Sequence, residues 1–227
     1  MLAFVAAEAR EFAGLLRHAE RVVKLNWPID FATRIWLNGR AAVLVANGPG
    51  PKLAGEAVEI ARRHEQLSGL VSTGFCGALD PALKLCDIFV ATSILNRDAP
   101  INAVTTTRSY QTGRLASQDR VASTAAEKSE LHQTGASAVE MEASAVAAQA
   151  AEHNLPFYCI RVVSDTAGES LPLDFNQMRD ASGRFSTAKI LTAALRRPSV
   201  FPGLIELNKR SKAAAQALGD FLADTRF

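Results

Sequence analysis

Two carboxylates, Glu142 and Asp165, stand 23 positions apart in segments of unlike character. Glu142 follows Val139-Glu140-Met141 and opens an alanine-rich helical stretch, whereas Asp165 closes the run Arg161-Val162-Val163-Ser164, apolar but for its arginine and serine. A helix start and a strand end at one sheet edge give two acids different surroundings, and surroundings decide which of two carboxyls keeps its proton. Such a pair suits the cleavage of a bond between a sugar and a base. An ionised carboxylate offers two acceptor oxygens to a vicinal diol, and a neutral acid can protonate the departing base. The expectation is an ionised Glu142 and a neutral Asp165, desolvated and oriented by Ser164. Taken singly, each residue has a plainer explanation: Glu142 as a helix-dipole acid, Ser164-Asp165 as a turn cap, Met141 as core. Their combination favours chemistry.

The elements that must position these acids alternate. Residues 2–7 form a short apolar run of the buried-strand type, and 8–18 read as a helix with acids in its first turn. Segments 31–37 and 41–46 are strands joined by Asn38-Gly39, a strong hairpin signal. Gly48-Pro49-Gly50-Pro51 breaks the chain before a helix over 52–64. Strands follow at 69–73, ending in the glycine turn Gly74-Phe75-Cys76-Gly77, and at 87–95. The polar, threonine-rich stretch 96–116 reads as a long loop or lid. A helix over 120–132, a short strand 136–139, a helix 142–153 and a strand 156–163 complete the alternation, with a second loop at 168–173. The pattern predicts one α/β domain over 1–227, a three-layer α/β/α sandwich on a mixed sheet. A helical C-terminal extension runs from about 185 and breaks near Pro198 and Pro202.

Composition narrows the function classes. The chain has 227 residues, 48% hydrophobic and 21% charged, enough for one well-buried core. A net charge of +2 gives no broad basic field for nucleic acid. Cys76, Cys86 and Cys159 have no CxxC spacing and suit buried thiols in a reducing cytoplasm. The four histidines lack ligand-like spacing, so no metal and no organic cofactor is expected. No apolar run reaches the roughly 18 residues of a membrane span. Neither glycine cluster forms GxGxxG with an acid about twenty residues on, which removes a dinucleotide oxidoreductase.

The order Val139-Glu140-Met141-Glu142-Ala143, then Pro156-Phe157, then Arg161-Val162-Val163-Ser164-Asp165 resembles the nucleoside phosphorylase/nucleosidase superfamily. Its nearest pattern is that of the 5′-methylthioadenosine/S-adenosylhomocysteine nucleosidases. The resemblance extends to Leu37-Asn38-Gly39, Thr73-Gly74-Phe75-Cys76-Gly77-Ala78 and Lys84-Leu85-Cys86-Asp87-Ile88, and so spans most of residues 1–176. The basic, proline-broken tail is similar to hopanoid-associated members, which act on adenosylhopane. The resemblance implies that Glu142 holds the ribose hydroxyls, that Met141 packs on the sugar, and that Asp165 gives a proton to purine N7. It implies a lesser contact from Glu140, ribose and base contacts from Phe75, Cys76 and Gly77, and closure over the base by Phe175, with Val121 and Ala122 flanking it. A glutamate near the N-terminus readies the attacking water. Glu8 and Glu11 both qualify and stay open.

The chain departs from the family in its glycine turn. The usual serine after the first glycine is Phe75, and the phosphate-binding arginine of the hexameric phosphorylases aligns with Ser72. Hydrolysis is therefore expected over phosphorolysis, though Arg40, Lys52 and Arg108 remain candidates to hold phosphate as a co-substrate. A catalytically idle nucleoside sensor on the same fold is the reading from another class. The expected partner is a small purine nucleoside bearing a 5′ substituent, whose pocket would draw on the loop 96–116 and a second subunit of a homodimer or higher oligomer. Arg196, Arg197, Lys209, Arg210 and Lys212 in the tail are either a solvated helix face or a peripheral membrane contact.

Overall fold

A computed structural model describes all residues 1–227. The apolar runs become a nine-stranded mixed sheet: β1 (Leu2–Ala6), β2 (Arg21–Lys24), β3 (Phe31–Leu37), β4 (Arg40–Ala46), β5 (Gly69–Ala78), β6 (Ile88–Ile94), β7 (Gln111–Ser117), β8 (Ala138–Glu140) and β9 (Phe157–Asp165). Their order is β2-β3-β4-β1-β5-β8-β7-β6-β9, and β9 pairs back onto β5. Five strands thus close on themselves while β2, β3, β4 and β1 extend outward as an open wing. β1, β4, β5 and β9 run parallel, and the hairpin at Asn38-Gly39 turns β3 antiparallel to β4.

Helices cover both faces. On one, α2 (Pro51–His64) and α4 (Ala143–Glu152) bury Ala57, Val58, Ala61, Val146, Ala147 and Ala150 against Val5, Val43 and Leu70. Alanine-rich stripes let these helices lie close to the sheet, where the loss of apolar surface from water stabilises the layer. On the other, α1 (Ala13–His18) and α6 (Phe201–Ala223) bury Leu15, Ala214, Leu218 and Phe221 against Phe4 and Leu44. The α1–α6 crossing brings backbone against backbone: a Cβ on Gly14 or Gly219 would collide with main-chain atoms of the other helix. The last helix is therefore part of the core.

Two expectations need correction. The stretch 96–116 is not all loop, since its second half begins β7, which pairs with β6 and β8. Its polarity hid it: at the start of β7 Gln111, Thr112 and Arg114 are exposed, and only Leu115 and Ala116 point into the core. The glycine turn after residue 73 is also not a turn, because β5 continues unbroken through Ala78 with a register shift at Cys76/Gly77. Elsewhere the helix of 120–132 is shorter. Thr124 caps α3 (Ala125–Gln133) through a reciprocal box with Glu127. The tail helix α5 (Thr187–Arg196) ends just before Pro198, and Pro202 stands in the first turn of α6.

Candidate active site

Parallel strands end together, and their carboxyl ends open on one cleft. Ala7 and Glu8 follow β1, Cys76 and Gly77 lie near the end of β5, and Ser164-Asp165 finish β9. Glu140 ends β8, and Met141 and Glu142 connect it to α4, so the three enter from the side. All these residues line one cavity of about 430 Å³. A larger one, about 1020 Å³, lies among Met1, Leu37, Tyr158 and Phe227, and none of the acids at issue faces it.

Beneath the cleft sits Arg161, fully buried in β9. Its Nη1 donates to Thr73 O at 2.9 Å and its Nη2 to Ser72 Oγ at 2.6 Å, and it forms ion pairs with Glu140 and, at 3.4 Å, Glu142. A buried guanidinium persists only where carboxylates compensate it, so the arginine that interrupts the β9 run balances the site's acids. Glu140 Oε2 also accepts from Glu142 N and Ala143 N, each at 2.9 Å. The carboxylate of Glu140 is thus engaged by Arg161 and the start of α4, although the residue borders the cavity.

Glu142 is the N-cap residue of α4 and accepts from Gly50 N at 3.0 Å. Burial, reinforced by the charge of Glu140, pushes its carboxyl up to about 8 against the opposing pull of Arg161. Glu11 lies within a single 3-10 turn, Ala9–Phe12, and accepts from Ala7 N at 2.9 Å, Glu8 N at 3.2 Å and Phe75 N at 3.4 Å. Burial first, then the neighbouring Glu8, raises it to about 7. Gly74 makes room for it: at φ +122°, a Cβ there would lie 2.7 Å from Glu11 Oε2. The glycines of this strand accommodate acids, Glu11 at Gly74 and Asp165 at Gly77. Glu8 differs from Glu11 in being partly exposed and paired with Arg10. The two glutamates that the sequence left equivalent are therefore separated by burial.

At the other end, Asp165 Oδ1 accepts from Ser164 Oγ at 2.7 Å, and Oδ2 accepts from Lys128 Nζ at 2.5 Å. Ser164 Oγ also lies 3.2 Å from Cys76 O. Lys128 is fully buried on α3 and donates further to Thr166 O at 2.8 Å and Glu169 O at 3.0 Å. Three acceptors around one Nζ describe an ammonium, and its partner is a carboxylate. The geometry thus places the charges differently from the expectation. Glu142 is the acid driven towards its neutral form, by burial and by Glu140, while Asp165 is ion-paired.

Around the acids, Met141 is buried at the cavity wall, and Phe75, Cys76, Val121 and Phe175 also line it. Phe175 packs edge-on against Phe185 with ring centroids 5.8 Å apart. The main-chain N–H and C=O of Val121 are both bound by the side chain of Asn176, at 2.8 and 3.0 Å. The adjacent Ala122 is buried at the cavity, and neither its N–H nor its C=O has a protein partner. The outer wall comes from this chain's own α5 and α6, through Ile190, Leu204 and Leu207, not from residues 96–116. Of the three cations considered for phosphate, Arg40 faces the second cavity, Arg108 pairs with Asp224, and Lys52 is absent from the cleft wall. Lys128 escaped the sequence reading altogether. The one available signal was the Thr124-Ala125-Ala126-Glu127 capping box, which fixes where α3 begins and so where Lys128 points.

Residues 3–114 and 103–196 match the family described as the phosphorylase superfamily. A 5′-methylthioadenosine/S-adenosylhomocysteine nucleosidase of Bacillus cytotoxicus is 26% identical over 196 residues, covering 68% of this chain and 81% of the relative. Among solved structures, the corresponding nucleosidase of Neisseria meningitidis, in complex with methylthio-immucillin-A, superposes with a TM-score of 0.74 at 20% identity. That likeness covers 98% of this chain and 96% of the other. A futalosine hydrolase of Helicobacter pylori gives 0.71 at 16% identity, again over 98% and 96% of the two chains.

Proposed function

We propose, since this chain belongs to the phosphorylase superfamily, that its cleft hydrolyses the bond between an adenine base and a ribose carrying an apolar 5′ substituent. The observation that carries this reading is the ring of three buried acids, Glu11, Glu142 and Asp165, around a single cavity. Glu142 accepts from the ribose hydroxyls, and the positive charge that develops on the oxocarbenium-like sugar as the bond breaks draws its carboxyl into the ionised form against the burial that raises it to about 8. Glu11, raised to about 7, is a base matched to neutral pH and takes a proton from the attacking water. Asp165 protonates the departing purine, held in place by Ser164. Phe175 and Met141 supply apolar contact to base and sugar, and the unpartnered N–H and C=O of Ala122 are a donor and an acceptor for the adenine edge.

Water is favoured over phosphate because Ser72 is taken by Arg161, while the lining cations Arg10 and Arg120 are paired with Glu8 and Glu127. The apolar wall of Ile190, Leu204 and Leu207 favours an uncharged 5′ group. Incubating the protein with 5′-substituted adenosines and inosine, with and without phosphate, tests the assignment. Phosphate-independent adenine release is expected; a strict phosphate requirement would replace hydrolysis by phosphorolysis. Release that is equally slow in wild type and Asp165→Asn would leave only a nucleoside-binding role. The tail belongs to the same proposal: Leu191, Leu195 and Ile205 are exposed on α5 and α6 near Arg196 and Arg197, an apolar and basic surface suited to an anionic membrane. Co-sedimentation with anionic liposomes at low salt is expected, and its absence removes the membrane contact.

A further inference from the structure

We propose that Lys128 is the source of the proton that Asp165 delivers to the base, so that the acid of this site is a lysine–aspartate relay. The inference rests on the hydrolytic reading above and adds to it a residue that touches no substrate. Its basis is geometric. Asp165 accepts hydrogen bonds at both oxygens, from Ser164 and from Lys128, and in that state it holds no proton to give. Lys128 Nζ has each of its three N–H groups directed at an oxygen, one on Asp165 and two on the carbonyls of Thr166 and Glu169. It is fully buried, as few lysines are. An ion pair this enclosed costs desolvation that a well-packed apolar pair would avoid, and its place beside the acid gives it a use.

The steps balance. As the glycosidic C–N bond breaks, its electron pair passes to the base, and Nζ gives one proton to Asp165 Oδ2. The neutral carboxyl hands that proton to N7, because the purine on which negative charge develops is a far stronger base than the carboxylate left behind. Lys128 is left as a neutral amine whose two remaining N–H groups keep their bonds to Thr166 O and Glu169 O. Water adds to the sugar cation and yields its proton to Glu11; Glu11 then releases one proton to solvent and Lys128 takes one up, which resets both groups. The two carbonyls lie in the segment after β9, whose Glu169 pairs with Arg210 of α6. Lys128 thus also ties the acid to the helix that walls the 5′ end.

Lys128→Arg separates proton supply from charge and positioning, because a guanidinium keeps the cation and does not deprotonate in proteins. Two substrates are compared: the adenine nucleoside, and the same ribose carrying p-nitrophenolate, a leaving group that departs without a proton. The relay predicts a loss of at least about 100-fold with adenine, the low end of general-acid contributions, and less than about threefold with p-nitrophenolate. Equal losses on both substrates, or none on either, would overturn it. Should the arginine not fit, Lys128→Met is read by its pH profile. Asp165 must then draw its proton from solvent, and adenine release should fall tenfold per pH unit over a range where wild type is flat; an unchanged profile refutes the relay. Asp165→Asn is the control. If it keeps full adenine activity, the hydrolytic reading fails; if it loses activity while Lys128→Arg does not, only the relay fails.

Discussion

Replacing Glu11 with Gln should slow turnover and stabilise the fold, with the stabilisation confined to neutral and alkaline pH. In the native protein Glu11 holds its proton up to about pH 7, against an ordinary value of 4.5, because burial and Glu8 oppose its charge. The folded state therefore binds more protons than the unfolded chain between these values. The favourable contribution of this group is complete below pH 4.5 and is lost as pH rises through about 7. Each pH unit is worth about 1.4 kcal/mol, so the buried carboxylate costs on the order of 3 kcal/mol at pH 8 and above. Glutamine is neutral at every pH: its amide oxygen can take the bonds from Ala7 N and Glu8 N that Glu11 Oε2 accepts, and only the long bond from Phe75 N, at 3.4 Å, is lost. Urea denaturation at pH 4.5 and pH 8.5 should give equal stabilities at the lower pH and a variant more stable by about 2–3 kcal/mol at the higher. Activity should fall by about 100-fold or more, as for loss of a general base. A variant destabilised by the same amount at both pH values would refute the claim that burial has driven Glu11 towards neutrality.

The role proposed for Glu11 also sets the acid side of the pH profile: kcat/KM should rise with pH and level off above about 7 as Glu11 becomes a base, and a profile flat from pH 5 to 8 contradicts that role. Asp165→Asn should lower kcat by about 100- to 10,000-fold with a Kd for nucleoside changed only a few-fold, measured by calorimetry. Gly219→Ala places a methyl against the backbone of α1 and should lower unfolding stability by about 1–3 kcal/mol, or more if the helices cannot part. A melting temperature equal to wild type would show that the crossing yields. Glu142→Gln keeps the acceptor that meets Gly50 N–H but removes the charge, so kcat should fall more than substrate affinity.

The fold was legible where side chains obey a period. Continuous apolar runs marked β1, β5 and β9, alanine-rich helical stripes marked α2 and α4, and Asn38-Gly39 fixed the hairpin that makes the sheet mixed. β2 and β7 were not read, because edge and barrel strands here carry polar residues such as Arg21, Gln111 and Thr112. Phe175 and Val121 do reach the cleft, as does the run from Glu140 to Glu142. Their charges could not be read, because protonation depends on partners distant in the chain. Arg161 stands 19 positions from Glu142 and Lys128 stands 37 from Asp165. The closure of five strands alone brings them together. The outer wall was missed for the same reason: the tail reads as an extension until Leu218 and Phe221 are seen buried against Phe4, which carries Leu204 and Leu207 to the cleft.

Isotope transfer from solvent bears most directly on the proposed chemistry. Turnover of a 5′-substituted adenosine in ¹⁸O-labelled water, without phosphate, should release adenine and a pentose carrying one ¹⁸O at its anomeric carbon, read by mass spectrometry. Asp165→Asn and Glu11→Gln should slow formation of the labelled pentose by the same factors as adenine release. Unlabelled pentose 1-phosphate appearing only when phosphate is added, or no adenine release from any nucleoside tried, would contradict a hydrolase built from these three acids.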